Sequence, residues 1–174
     1  LGETNVFEGH TTDVSEIFLY ELAIEWSSGE QWRTRDAYSF KPTIGEQELF
    51  LFGQGDERRI YEKLGAHVRH VDGVRGSTFA VWAPNARRVS VKGDFNHWRA
   101  DAHPLRRLGD SGVWELFVPD VGDGAHYKFD ILTSDGDVRE KTDPFGFFFE
   151  NAPKNAAIVW NHREFEWSDR EWVN

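Results

Sequence analysis

Between residues 67 and 160 the chain is a succession of short strand-like segments separated by turn residues. Val89 and Val91 alternate with polar residues, a pattern typical of a strand with one buried face. Turns containing glycine follow at Asp110–Gly112, Asp120–Gly124 and Ser134–Gly136. About seven short strands at this spacing predict an all-β domain, an antiparallel β-sandwich of immunoglobulin-like type.

The first part of the chain contains a separate hairpin signal. Ile17 to Trp26 is rich in β-branched and aromatic residues, and Gly29 supplies a turn before Gln31 to Arg35. We therefore expect two β regions, with this hairpin belonging to the first.

The two regions are related by an internal repeat. Tyr20 to Phe40 aligns without a gap with Tyr127 to Phe147, at an offset of 107 residues. The repeat predicts two related sandwiches, the first truncated at its N-terminus because only 19 residues precede Tyr20. The alternative is a generic hairpin pattern shared by chance. The identical pairs are Tyr20 and Tyr127, Ile24 and Ile131, Ser27 and Ser134, Gly29 and Gly136, Asp36 and Asp143, and Phe40 and Phe147.

A short helix is predicted between the two regions, over Asp56–Leu64. Asp56 can cap it, Ile60, Tyr61 and Leu64 share one face, and Gly65 ends it. The predicted organisation has four parts: the C-terminal part of a first sandwich at residues 1–53, a bridging helix and linker at 54–66, a complete sandwich at 67–160, and a linker at 161–174.

Composition excludes several classes of function. The chain of 174 residues carries a net charge of −10, and no segment has the excess of Lys and Arg that nucleic acid requires. No apolar run approaches the roughly 18 residues of a membrane span. The absence of Cys excludes disulfides and thiolate metal sites and is compatible with the cytoplasm. We expect a soluble, cytoplasmic protein that binds neither nucleic acid nor membranes.

The residues suggest no catalytic site, metal site or cofactor. Glycoside hydrolysis needs two carboxylates held about 5 to 10 Å apart in a cleft, whereas the acidic residues here fall in predicted turns and on solvent-facing strand positions. His67 and His70 would share a face only on a helix, and they follow Gly65 into a predicted strand. Gly53 and Gly55 lack the third glycine of a phosphate-binding loop, so a turn is the simpler interpretation.

Three residues are candidates for ligand binding. Trp98 follows Gly93–His97 in a predicted loop, where an indole either packs at the rim or offers a flat platform to a sugar ring. Lys128 alternates with Tyr127 and therefore points away from the apolar face of its strand. Asn155, just before the last predicted strand, can form hydrogen bonds through its side chain.

Several motifs together carry a family resemblance. They are Tyr61–His67, Phe79–Ala86, Val89–Trp98, Gly112–Glu115, Tyr127–Lys128 and Thr142–Phe145. These motifs are similar to the N-terminal region of bacterial 1,4-α-glucan (glycogen) branching enzymes. That family has one or two N-terminal sandwiches, the second a carbohydrate-binding module of family 48, then an α-amylase-type (β/α)8 barrel and a C-terminal β domain.

The resemblance implies that this chain is a non-catalytic fragment. In the family, an Asp of the barrel forms a covalent glycosyl-enzyme, a Glu acts as acid and base, and the α-1,4-linked chain is transferred to a 6-hydroxyl. A barrel needs about 250 residues, and the motifs here extend only to a segment that looks like the linker into it. We expect its aromatic residues Phe165, Trp167 and Trp172 to dock on the barrel.

The resemblance also implies a sugar site. The module resembles the glycogen-binding domain of the AMP-activated kinase β subunit, whose sugar contacts correspond by motif to Trp98, Lys128 and Asn155. A second Trp in that domain has no counterpart here, because the hairpin reads Ser134–Val138. One platform and two hydrogen bonds of about 1 kcal/mol each imply weak, roughly millimolar binding.

Three hypotheses about function follow from the sequence. The module binds α-1,4-glucan or glycogen weakly as part of a branching enzyme. Alternatively, it is a structural module that packs on the catalytic barrel without binding sugar. The third hypothesis is a free-standing protein that targets glucan.

Overall fold

The computed structural model describes residues 9, 10, 12, 16–25 and 27–161, except for the side chain of Trp32. The chain divides into two compact units, Leu1–Lys41 and Pro42–Asn174. The predicted docking residues Phe165, Trp167 and Trp172 lie outside the described residues, as does the predicted linker apart from Asn161.

The first unit contains the predicted hairpin. Strand β1 (Glu21–Glu25) pairs antiparallel with β2 (Gln31–Arg35), and Gly29 lies in the turn with a φ of 84°. A short 3-10 helix, Ala37–Ser39, follows, and the Asp36 carboxylate caps it by accepting a hydrogen bond from the Tyr38 amide at 2.9 Å. The hairpin predicted from the spacing of residues 17–35 is therefore confirmed.

The second unit is an antiparallel β-sandwich preceded by one α-helix. One sheet has the order β3-β4-β7-β6, and the other has the order β10-β11-β8-β5, with β9 also pairing with β8. This architecture confirms the all-β, immunoglobulin-like prediction. The elements are α1 (Glu46–Gln54), β3 (Gly65–Val71), β4 (Val74–Trp82), β5 (Ala86–Gly93), β6 (Arg106–Arg107), β7 (Val113–Pro119), β8 (His126–Thr133), β9 (Val138–Lys141), β10 (Phe148–Phe149) and β11 (Ala157–Ile158).

Aromatic side chains from both sheets meet in the core. Phe79 of β4 packs edge-on against Tyr127 of β8 with ring centroids 5.0 Å apart, and it stacks on Phe95 at 5.3 Å. Phe79, Tyr127 and Phe129 are fully buried. Each such side chain stabilises the fold by about 1.5 to 3 kcal/mol relative to exposure. The alternation that buries Tyr127 and Phe129 places the residues between them on the outer face of the sheet.

The helix lies at a different position from the one predicted. Helix α1 spans Glu46–Gln54, whereas the predicted segment, Asp56–Leu64, contains only a 3-10 turn at Ile60–Glu62. The prediction of an α-helix over Asp56–Leu64 is wrong. The helix begins where the Gly45 amide donates to the Glu48 carboxylate at 2.8 Å, and it ends at Gly55, whose φ of 78° suits glycine.

Packing explains the shift. Leu49 and Phe52 of α1 pack on the cluster that contains Leu64, and Ile60 reaches the same cluster from the 3-10 turn. Ile60 and Leu64, whose spacing suggested a helical face, therefore pack together in this cluster although they do not lie on an α-helix. A helix of about two turns has little stability of its own, so packing decides where it forms.

The internal repeat extends to hydrogen bonding. The Tyr20 hydroxyl donates to Asp36, and the Tyr127 hydroxyl donates to Asp143 at 2.5 Å. The second oxygen of each carboxylate accepts a backbone amide two residues further on, at 2.9 Å for Asp36 and 2.8 Å for Asp143. A generic hairpin does not require this arrangement, so the second copy repeats a specific local structure.

The two hairpins also share their register but differ in burial. Leu22 faces Thr34 across the first hairpin, and Phe129 faces Lys141 across the second, which are the same positions in the repeat. Leu22 is 43% exposed, whereas Phe129 is completely buried by the opposite sheet of its sandwich. The prediction that the first unit is part of a second sandwich stays a prediction.

Candidate functional site

The loop that carries Trp98 begins at the end of β5 and is held from within. Its 3-10 turn, Asp94–Asn96, places the buried Asn96 amide between two backbone groups. Asn96 Oδ1 accepts from the Gly93 amide at 2.9 Å, and Nδ2 donates to the Val91 carbonyl at 3.0 Å. The Trp98 amide donates back to the Gly93 carbonyl at 2.9 Å. These hydrogen bonds therefore close the loop into a turn between Gly93 and Trp98.

Gly93 also sets how closely the loop approaches β8. Its backbone is extended, with a φ of −177°, so its conformation does not require glycine. A Cβ at this position would lie 2.1 Å from the His126 carbonyl oxygen. Only glycine therefore allows β5 and β8 to pair at the point where the Trp98 loop starts.

Trp98 is presented in an unusual backbone conformation. His97 and Trp98 have φ values of 53° and 59°, in the left-handed region that bulky residues rarely adopt. Such a residue costs of order 1 to 3 kcal/mol and persists only where its surroundings hold it. The Trp98 side chain remains 40% exposed. Both interpretations made from the sequence, a rim packing residue and a sugar platform, stay predictions.

Asp94 connects the indole to β8. Trp98 Nε1 donates to Asp94 Oδ1 at 3.1 Å, while Oδ2 accepts the His126 backbone amide at 3.0 Å and lies 2.9 Å from His126 Nδ1. Partial burial acts to raise the pKa of Asp94, but the hydrogen bonds from His126 and Trp98 outweigh it and lower the pKa below its ordinary value. The ionised carboxylate thus fixes the orientation of the indole ring.

Lys128 lies on the outer face of β8, as its alternation with Tyr127 predicted. Its ammonium group is paired with Glu140 of β9, with Nζ 2.6 Å from Oε1, and its side chain is 16% exposed. Lys92 of β5 lies 2.8 Å from the other Glu140 oxygen and 2.8 Å from Asp130. The hydrogen bonds from Lys128 and Lys92 lower the pKa of Glu140. Lys128 is therefore part of an ion-pair network rather than a solvated lysine.

Asn155 lies on the opposite side of β8 from the Trp98 loop. It is exposed and precedes β11, which pairs with β8 on the side away from β5. Its carbonyl accepts a hydrogen bond from the Thr142 hydroxyl at 2.6 Å. Of the three predicted residues, Lys128 lies in a strand of this sheet, Trp98 in the loop after β5 and Asn155 in the segment before β11.

Four charged or ionisable residues near this face were not predicted from sequence. They are Asp94, His126, Glu140 and Glu150. His126 Nε2 lies 3.8 Å from Glu150 Oε1, and Glu150 Oε2 accepts the Ala156 amide at 3.1 Å. The alternation that placed Lys128 on the outer face also applies to His126, so the sequence contained a signal for that residue.

Among residues 9, 10, 12, 16–25 and 27–161, no group of three or more His, Cys, Asp or Glu side chains is arranged to hold a metal ion. No helix in that part of the chain combines the length and apolar character needed to cross a membrane.

A comparison with protein families assigns the sandwich. Residues 63–146 match the family described as carbohydrate-binding module 48 (isoamylase N-terminal domain). This part of the chain belongs to that family. Trp98 and Lys128 lie inside the matched residues of the family-48 module, whereas Asn155 lies beyond them.

The chain as a whole is similar to bacterial branching enzymes. It is 44% identical over 169 residues to the 1,4-alpha-glucan branching enzyme GlgB of Myxococcus xanthus, covering 97% of this chain and 23% of that protein. It is 51% identical over 169 residues to the enzyme of the same name from Synechococcus sp. strain JA-3-3Ab, covering 93% and 22%. The chain thus spans less than a quarter of the length of these curated relatives.

Solved structures include a maltotriose complex of PulA from Klebsiella pneumoniae. It has a TM-score of 0.45 and 25% identity to this chain, and the match covers 56% of this chain and 11% of that one.

Proposed function

We propose that the family-48 module binds α-1,4-glucan weakly as part of a bacterial glycogen branching enzyme. The observation that carries the proposal is the presentation of Trp98. Its indole stays exposed although its backbone is strained and its Nε1 is tied to Asp94. Strain that is maintained around an exposed aromatic residue points to a role for that residue in binding.

The chemistry of the face suits a neutral sugar. The indole offers an apolar surface to one face of a glucose ring, and Lys128 and Glu140 offer a donor and an acceptor close by. Asn155 adds an amide on the far side of β8. Lys128 is already paired with Glu140, so sugar hydroxyls would have to replace an existing ion pair. The net gain in binding free energy is therefore small. We expect a dissociation constant of about a millimolar or weaker.

Titration with maltoheptaose tests the proposal. Two-dimensional NMR of the 174-residue chain should show the indole Nε1–H resonance of Trp98 shifting along a saturable curve. Trp98→Ala should weaken binding at least fivefold, because stacking of a ring on an aromatic side chain contributes on the order of 1 to 3 kcal/mol. The matched control is Trp82→Ala, which removes an indole that is 53% exposed, against 40% for Trp98, from β4 of the other sheet. An absence of saturation, or equal weakening by both variants, contradicts the proposal.

The chemistry of a whole branching enzyme is part of the same proposal. Such an enzyme would cleave an α-1,4 linkage and transfer the chain to a 6-hydroxyl in the cytoplasm, with its catalytic Asp and Glu in a barrel outside this sequence. The module would hold glucan near that barrel and would itself do no chemistry.

We propose in addition that the first unit is the C-terminal part of a related sandwich. The support is the difference in burial between the repeats: Tyr20 is 36% exposed, whereas the corresponding Tyr127 is 1% exposed. A sheet equivalent to that of Phe79 would cover Tyr20 and Leu22. Adding upstream residues of the parent protein should protect the β1–β2 amides from hydrogen exchange, and unchanged exchange rates would contradict this organisation.

A purely structural role is the second candidate function, and one surface favours it. Phe148 and Trp160 are 48% and 44% exposed, and their rings lie 5.2 Å apart. An aromatic patch of this kind suits packing against another domain. In an intact branching enzyme carrying this module, Phe148→Ser should lower the thermal midpoint while leaving glucan binding by the isolated chain unchanged. An unaltered midpoint would argue against the structural role.

A further inference from the structure

His126 and Glu150 form a pair of acceptors that the proposed site has not used. Asp94 receives the His126 backbone amide and faces His126 Nδ1 at 2.9 Å, so in the neutral imidazole Nδ1 carries the proton. The other ring nitrogen, Nε2, is then an acceptor. It faces Glu150 Oε1 at 3.8 Å, beyond hydrogen-bonding distance.

In the neutral imidazole, no hydrogen atom lies between His126 Nε2 and Glu150 Oε1. A carboxylate accepts only, and neutral His126 has already committed its single N–H to Asp94. The nearest cation is Lys154, whose Nζ lies 3.4 Å from Glu150 Oε1 and whose side chain is 76% exposed. The charged and titratable groups around the imidazole are therefore Asp94 from the loop after β5, and Glu150 and Lys154 from the segment before β11.

The pair is open to a ligand and close to Trp98. The His126 side chain is 34% exposed and that of Glu150 is 18% exposed. His126 shares the Asp94 carboxylate with the indole of Trp98, and it precedes Lys128 by two residues on the same face of β8. A glucan that stacks on Trp98 would therefore have its next polar contacts at this pair.

We propose that His126 and Glu150 form a polar subsite for two neighbouring hydroxyls of one glucose unit. One hydroxyl would donate to His126 Nε2 and the other to Glu150 Oε1. Each hydroxyl reaches its acceptor at about 2.7 to 3.0 Å, so acceptors 3.8 Å apart suit hydroxyls on adjacent carbons of one ring. The subsite rests on the proposed glucan binding, and it supplies the second half of a site that has only one aromatic platform.

Two substitutions remove the acceptors one at a time. His126→Phe keeps a planar ring and the backbone amide that holds Asp94, but it eliminates Nε2 together with the Nδ1 contact to Asp94. Glu150→Gln keeps an oxygen that accepts the Ala156 amide and replaces the other carboxylate oxygen by an NH2 group. That NH2 group can donate a hydrogen bond to His126 Nε2. Each variant should bind maltoheptaose about three- to tenfold more weakly, which is the loss expected for one hydrogen bond.

Controls separate this subsite from a structural effect and from the proposed function. Asp110→Asn removes the same charge from a fully exposed position on the turn between β6 and β7, and it should leave affinity unchanged. The Trp98 indole Nε1–H resonance of the unliganded Glu150→Gln variant should stay at its wild-type position, because Asp94 still receives the Trp98 N–H and the His126 backbone amide and keeps its contact with His126 Nδ1.

The outcomes distinguish the two ideas. If Trp98→Ala weakens binding while His126→Phe and Glu150→Gln bind like the wild type, the subsite is wrong and the proposed function stands. If the wild-type chain shows no saturable response to maltoheptaose, both are wrong. If His126→Phe weakens binding and also displaces the Trp98 resonance, His126 acts by positioning the platform, and the subsite is overturned unless Glu150→Gln weakens binding without that displacement.

Discussion

The buried carboxyl group of Asp143 should make the stability of the second unit depend on pH. Asp143 is 2% exposed, and burial raises its pKa from 3.8 to about 6, against the lowering effect of hydrogen bonds from Tyr127 and the Phe145 amide. Between these two pH values the folded chain holds a proton that the unfolded chain has released. The stabilisation is therefore present in full below about pH 3.8 and is lost as pH rises through about 6.

The size of the effect follows from the two pKa values. A shift of about two pKa units corresponds to about 3 kcal/mol. In Asp143→Asn the titrating group is absent, so the free energy of unfolding of the wild type minus that of the variant should fall by about 2.4 kcal/mol between pH 4 and pH 7, since the unfolded carboxyl group is already more than half ionised at pH 4. Glu115, whose pKa burial also raises, is present in both proteins and cancels from the difference.

Urea unfolding monitored by tryptophan fluorescence at half-unit pH intervals measures this difference. Asp36→Asn is a matched control, because it alters the same Tyr–Asp–amide arrangement in the first unit, where Tyr20 is 36% exposed. Exposed interactions of this kind contribute at most about 1 kcal/mol. A difference between wild type and Asp143→Asn that is constant from pH 4 to pH 7, or that grows with pH, would refute the reasoning.

Two further substitutions test how the sandwich is held together. Gly93→Ala should lower the free energy of unfolding by about 3 kcal/mol or more in urea titrations, because its Cβ would meet the His126 carbonyl at 2.1 Å; a loss below about 1 kcal/mol would contradict the close approach. Thr43→Val should cost about 2 kcal/mol, because Glu115 is buried and accepts from the Thr43 hydroxyl at 2.5 Å. Thr34→Val, an exposed hydroxyl, is its control and should be nearly neutral.

The strands and the outward direction of Lys128 could be predicted because they depend on neighbouring residues. Alternation has a period of two, so Tyr127 and Phe129 on one face place Lys128 on the other regardless of what the strand pairs with. For Trp98 the sequence allowed two interpretations, a rim packing residue or a sugar platform, since a loop motif does not determine what an indole contacts. The repeat was also readable, because identical residues at one offset specify the same hairpin register.

The helix was misplaced for a related reason. Both Glu46–Gln54 and Asp56–Leu64 offer caps and apolar spacing for about two turns, and local preference alone separates them poorly. Packing of Leu49 and Phe52 on the cluster around Leu64 decides in favour of the first. The ion-pair partner of Lys128 could not be predicted from the sequence either, because Glu140 comes close to it only through the pairing of β8 with β9.

The sequence by itself determined the strands, the turns, the repeated hairpin and the resemblance to a family-48 module, since each is encoded in short-range spacing. Tertiary structure decided which polar groups meet: Asp94 contacts Trp98 and also His126, 32 positions further along the sequence, and Asp143 becomes buried against Tyr127. Contacts between distant residues depend on strand register and on which surfaces are covered. Those are properties of the assembled sandwich, and they set the orientation of the indole and the pKa of the buried carboxyl group.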